Sequence, residues 1–100
     1  MDTSELSTIR HVVAPIAARY GVERMYLFGS RARGDNRPDS DYDFLISIGK
    51  LDSLWKFSGF WGDLEDAFHS SVDVVTDETK DRELLDEARK DGLLVYEEQR

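Results

Sequence analysis

The stretch Leu27-Phe28-Gly29-Ser30-Arg31-Ala32-Arg33-Gly34-Asp35-Asn36-Arg37-Pro38-Asp39-Ser40-Asp41-Tyr42-Asp43 decides how the chain is read. Its first two residues close a short apolar run, Met25 to Phe28, that reads as a buried strand stopped by Gly29. The polar middle, Ser30 to Ser40, carries Gly34, Asp35, Asn36 and Pro38, and reads as one helical turn followed by a loop. A second strand runs from Tyr42 to Ile48 and ends at Gly49. Side chains two apart on a strand share a face, so Asp41 and Asp43 at its start can address one ligand.

On either side the chain alternates helix and strand. Leu6, Ile9, Val13, Ile16, Ala17 and Tyr20 recur at steps of three and four, one face of a helix. Asp2, Thr3 and Ser4 offer N-caps and Gly21 a stop, and Pro15 should kink the helix because it lacks an N–H. Leu54, Phe57, Trp61, Leu64 and Phe68 predict a second amphipathic helix, weakened by Gly59 and Gly62. Trp55 and Phe60 fall off that stripe, and an exposed aromatic patch there would mark a partner surface. Val72 to Val75 is a third strand. Glu83 to Lys90 is a charged helix with Leu84, Leu85 and Ala88 inward, stopped by Gly92, and Leu93 to Tyr96 a last short strand. The charges from Glu78 to Lys90 read as a solvated face. The order α-β-(α)-β-α-β-α-β predicts an α/β (α+β) domain, a small mixed sheet flanked by helices.

Composition narrows the function classes. Residues 1–100 suit one domain with one core. With 40% hydrophobic and 11% aromatic residues the chain is not a disordered segment. No apolar run reaches the roughly 18 residues of a membrane span, and Met1 to Glu5 lack the pattern of a signal peptide. Without cysteine there is no disulfide, thiolate nucleophile or cysteine zinc site, and the expected location is cytoplasmic. Thirteen Lys and Arg against 21 Asp and Glu give a net charge of -8, a poor balance for gripping a polynucleotide. Phosphates should instead be handled locally, by a few arginines, backbone N–H groups or a bound metal.

Two phosphate- or metal-binding readings of the deciding stretch fail on their own requirements. Gly29 and Gly34 have the glycine spacing of a Walker A loop, but Asp35 and Asn36 stand where that loop needs Lys and Ser or Thr. Asp39, Asp41 and Asp43 begin like a calcium loop, but Phe44 and Lys50 stand where it needs Gly and Glu. The third reading fits. Gly29-Ser30 ends a strand where a glycine lets backbone N–H groups and a hydroxyl approach a phosphate. After a ten-residue gap come Asp41 and Asp43, hard oxygen ligands that suit magnesium. Asp73 follows in the next strand between Val72 and Val74, where a carboxylate is costly unless something such as a metal pairs with it. The plain alternative for Asp41 and Asp43 is a solvated acidic turn. His11 and His69 make no convincing ligand or base.

The pattern Gly29-Ser30, ten residues, Asp41-Tyr42-Asp43, then Asp73 resembles the DNA polymerase β-type nucleotidyltransferases, and more closely their minimal members. The resemblance spans nearly the whole chain. It implies the polymerase β-type fold and transfer of AMP from ATP to a hydroxyl, with Asp41, Asp43 and Asp73 holding two magnesium ions. Gly29, Ser30, Arg31 and Arg33 would bind the nucleotide's β- and γ-phosphates. Minimal members are commonly antitoxins that AMPylate a tyrosine of an all-helical HEPN-type toxin, a ribonuclease, so such a toxin is the implied partner and acceptor. Two alternatives stay open: neutralisation of the partner by contact alone, and transfer to a small molecule such as an aminoglycoside.

Overall fold

The computed structural model describes residues 2–99. The first helix, α1 (Thr3–Tyr20), is capped by Asp2, whose carboxylate accepts from the Glu5 N–H, and ends on Gly21 in the left-handed region. It runs through Pro15 as one continuous element, so the expected kink does not interrupt it. The chain continues through β1 (Arg24–Phe28), α2 (Gly29–Arg33), β2 (Tyr42–Ser47), α3 (Leu54–Phe68), β3 (Val72–Thr76), α4 (Arg82–Asp91) and β4 (Leu93–Glu97). The strands form one mixed sheet in the order β3-β2-β1-β4. β1 pairs antiparallel with β2 and with β4, while β2 and β3 are parallel and joined through α3. A parallel pair needs such a crossover.

Strand alternation sorts side chains onto two faces. On one, Met25, Leu27, Phe44, Ile46, Val72, Val74 and Val95 form the main core with Ile9, Val13 and Ala17 of α1 and Phe60 and Leu64 of α3. On the other, Phe28 and Leu45 pack against Ala88 of α4, with Tyr26, Val75, Leu84 and Leu85 around them. The inward residues expected for α4 are thus the observed ones.

The α3 stripe is shifted from its expected position. Phe60 is fully buried, whereas Leu54 is 83% and Trp55 89% exposed. The apolar face begins at Phe57 and passes through Phe60, Trp61, Leu64 and Phe68, still at helical spacing. Leu54 is the first helical residue after the Ser53 cap, which lies beyond the edge of the core. Trp61 Nε1 donates to the Val72 carbonyl at 2.6 Å, tying α3 to the start of β3.

Candidate active site

Asp41, Asp43 and Asp73 meet at the end of β2 and β3 because of register and alternation. In the parallel β2–β3 ladder Asp43 is the direct partner of Asp73. Asp43 alternates with Phe44 and Asp73 with Val74, and both valine and phenylalanine point into the main core. The two carboxylates therefore share the opposite, α4-side face, and Asp41, just before the start of β2, is near enough for its charge to act on Asp43. Asp43 is half-buried, while Asp41 and Asp73 are exposed. Asp73 thus occupies the sheet position expected for it, but solvent rather than apolar surroundings keeps its charge inexpensive.

Asp43 is the perturbed member. Its carboxyl is pushed up from 3.8 to about 6, first by burial, then by the charges of Asp73 and Asp41 and by a hydrogen bond with Asp73, with a further contribution from Glu87 of α4. Like charges crowded at one spot favour protonation. Among the described residues no three carboxylate or imidazole side chains close into a finished metal cage. Magnesium does not require one, since it keeps several waters and is usually held by one or two carboxylates plus substrate phosphates. Oxygen-only donors, like-charged and with no ion pair to a cation among the described residues, fit that ion.

Gly29 is fixed by the same neighbourhood. Its φ of 76° lies in the left-handed region, and a Cβ built on it would overlap the Asp43 carboxylate. Both facts demand glycine. We expect Gly29→Ala to lose about 2 kcal/mol or more of stability, backbone strain and side-chain overlap combined. Because the overlap falls on Asp43, transfer should also collapse in whatever fraction stays folded. Denaturant melts and an activity assay at low temperature check this; a variant as stable and active as the wild type would refute the close approach.

Ser30 is half-buried at the start of α2, and its hydroxyl has no partner among the described residues. Its carbonyl accepts from the Gly34 and Asp35 N–H groups at 2.9 and 3.1 Å, which closes the short helix. Gly29 thus lies beside Asp43, with Ser30 next to it in sequence.

The two arginines point elsewhere. Arg31 donates through Nε and Nη2 to the Ser40 carbonyl and through Nη2 to the Pro38 carbonyl, and its guanidinium lies 4.0 Å from the centre of the Tyr42 ring. Tyr42 packs with the main core, opposite the face that carries Asp43. Arg33 bonds Asp35 at 3.1 Å and Asp91 at 2.9 Å, with Glu87 3.9 Å away. It bridges α2 to α4 and lies beside Glu87, whose charge also acts on Asp43. In this structure both guanidiniums are engaged by nearer carbonyls and carboxylates, Arg31 by those of Pro38 and Ser40 and Arg33 by Asp35 and Asp91. The roles of Arg31 in the loop and of Glu87 beside Asp43 were not visible in the sequence. Only the heavy charge of α4 hinted at the second.

Residues 12–100 match the polymerase beta nucleotidyltransferase family. A Methanocaldococcus jannaschii protein assigned as a protein adenylyltransferase is 34% identical over 71 residues, 71% of this chain and 76% of that protein. The protein adenylyltransferase MntA of Thermococcus cleftensis is 39% identical over 57 residues, 57% of this chain and 58% of that one. A solved structure assigned to the minimal nucleotidyltransferases superposes with a TM-score of 0.75 at 30% identity, covering 93% of this chain and 95% of its own. An MNT antitoxin in complex with a tri-AMPylated HEPN toxin of Shewanella oneidensis shares the fold, with a TM-score of 0.70 at 17% identity over 94% of this chain and 74% of that one. With its glycine-serine turn set against paired strand carboxylates, the chain belongs to the polymerase β-type nucleotidyltransferases.

Proposed function

We propose that this nucleotidyltransferase is a magnesium-dependent protein adenylyltransferase that moves AMP from ATP to a tyrosine hydroxyl of a HEPN-type toxin and so acts as its antitoxin. The observation that carries the chemistry is the register pairing of Asp43 with Asp73 on one sheet face, with Asp41 just ahead of that strand and Gly29 against the Asp43 carboxylate. Asp41, Asp43 and Asp73 would hold the metal, which when bound neutralises phosphate charge and makes a hydroxyl easier to ionise. Gly29 supplies room for a close backbone approach, and Ser30 a hydroxyl free to donate to a phosphate oxygen. Asp43, half-buried and crowded, favours a positive ligand over solvent. A protein acceptor is supported by the relatives, which are assigned as protein adenylyltransferases, and by an MNT antitoxin of the same fold found with an AMPylated HEPN toxin. The carboxylates stand at an open sheet end, where a hydroxyl carried by another protein has access. A partly open cleft of about 350 Å³ lies further along that face, among Arg24, Tyr26, Ser47, Asp77 and Arg89.

The test is intact-mass spectrometry of this chain with a HEPN protein encoded beside it, given ATP and magnesium. The expected result is a gain on the HEPN protein in whole multiples of one AMP, abolished by chelation. An unmodified HEPN protein, with the gain on a small molecule or on nothing, would overturn the acceptor.

A further inference from the structure

The segment between the phosphate turn and the metal-side carboxylates hangs on one side chain. Residues 37–40 form a tight turn with its own bonds: the Ser40 N–H donates to the Arg37 carbonyl at 3.0 Å, and the Arg37 N–H to Ser40 Oγ at 2.8 Å. Asn36 Nδ2 donates only to the Arg37 carbonyl. The main chain is next anchored before this segment, where the Asp35 N–H reaches the Ser30 carbonyl, and after it, where the Tyr42 N–H reaches the Ser71 carbonyl. Among the described residues, every hydrogen bond that ties 36–41 to the rest of the protein comes from Arg31. Arg31 directly follows Ser30, and Ser40 directly precedes Asp41. The guanidinium therefore spans the two halves of the motif.

We propose that Arg31 is a positioning residue that fixes Asp41 relative to Ser30 by clamping the Pro38 and Ser40 carbonyls, and that it is not a ligand of the nucleotide phosphates. This rests on the reading of Asp41 as a metal ligand. Two features make the clamp specific to arginine. A planar fork can donate from Nε and Nη2 together to one carbonyl, and it stacks flat on an aromatic ring. Tyr42 provides that ring, itself backed by Phe68 at 4.4 Å between centroids. The stack of Arg31, Tyr42 and Phe68 links the loop to α3 and the main core. A lysine keeps the charge but has neither the fork nor the plane.

Arg31→Lys should melt close to the wild type, yet amide exchange across residues 36–41, measured without metal, should speed up on the order of tenfold or more. Manganese affinity in the presence of a non-hydrolysable ATP analogue should fall roughly tenfold, with kcat falling more than the KM for ATP rises. In the wild type, the Arg31 Nε–H resonance should exchange slowly without nucleotide and keep its position when ATP and magnesium are added. Unchanged loop exchange and manganese affinity in Arg31→Lys, with only the KM for ATP raised, would assign the guanidinium to the phosphates and overturn the clamp. So would an Nε–H resonance that is protected or shifted only with ATP, a readout that does not depend on the variant folding. Failure of the wild type to bind manganese would overturn the metal reading and the Asp41 part of this proposal. Loop exchange, read without metal, tests the clamp alone.

Discussion

Asp43→Asn is expected to cut AMP transfer by at least about a thousandfold while making the metal-free protein more stable at neutral pH, since metal neutralisation of phosphate charge is worth several kcal/mol. The opposite directions have one cause. The Asp43 carboxyl is pushed up from 3.8 to about 6 by burial and by Asp73 and Asp41, so folding favours its protonated form. Its contribution is fully present below the unfolded value and is lost as pH rises through about 6. For a half-exposed group screened by solvent the difference is on the order of 1 kcal/mol, or about 4–8 °C in Tm for a domain of this size. The amide keeps the shape and removes the repelling charge. Asp43→Asn should therefore melt higher than the wild type at pH about 7.5, and the gap should close near pH 4, where both side chains are neutral. ATP with magnesium should reverse the order. At one hundred times the dissociation constant, binding stabilises the wild type by about 2.7 kcal/mol, a shift on the order of 10 °C. The variant should gain little. Melting curves at the two pH values, with and without ATP and magnesium, check both halves. A variant that unfolds, or that transfers AMP normally, would make Asp43 a structural residue.

What the sequence disclosed and what it hid follow from the range of the interactions involved. Carboxylates two apart, a glycine before a hydroxyl and an aspartate between two valines are local patterns: Asp43 and Asp73 lie on the strands expected of them, while Asp41 stands just ahead of β2 and Gly29-Ser30 open α2 directly after β1. That Asp73 lies opposite Asp43 depends on sheet register, which the spacing alone does not fix. The aromatic run in α3 misled for a related reason. Leu54 and Phe60 both lie at helical steps from the core residues, and only the edge of the core decides which is buried. Arg31 and Arg33 stand beside the Gly29-Ser30 turn in sequence, where arginines invite a phosphate role. Their partners, Pro38 and Ser40 for one and Asp91 for the other, are brought near by a loop and by α4. A guanidinium is drawn to whichever acceptors the fold brings within reach.

Neutralisation of the toxin should be catalytic, not stoichiometric. If AMP transfer is the mechanism, one molecule of this protein must silence many toxins, and the modification must outlast its removal, because a phosphodiester-linked AMP does not dissociate. AMP on a tyrosine near a ribonuclease site adds bulk and negative charge where RNA phosphates must bind, so the modified toxin should lose RNA binding as well as cleavage. If the mechanism is contact alone, protection must track occupancy: the protein has to match the toxin in amount, and Asp43→Asn, folded and with its surface otherwise intact, should protect as well as the wild type. The two mechanisms separate in a toxin ribonuclease assay at roughly one antitoxin to twenty toxins, since bound antitoxin could then cover only about a twentieth of the toxin without turnover. Near-complete protection is expected with ATP and magnesium, and almost none without them or with Asp43→Asn. Removing the antitoxin after the reaction should leave the toxin silent. Protection that requires equal amounts, ignores ATP and survives Asp43→Asn would make the carboxylates bystanders and the protein a binding antitoxin on a nucleotidyltransferase fold.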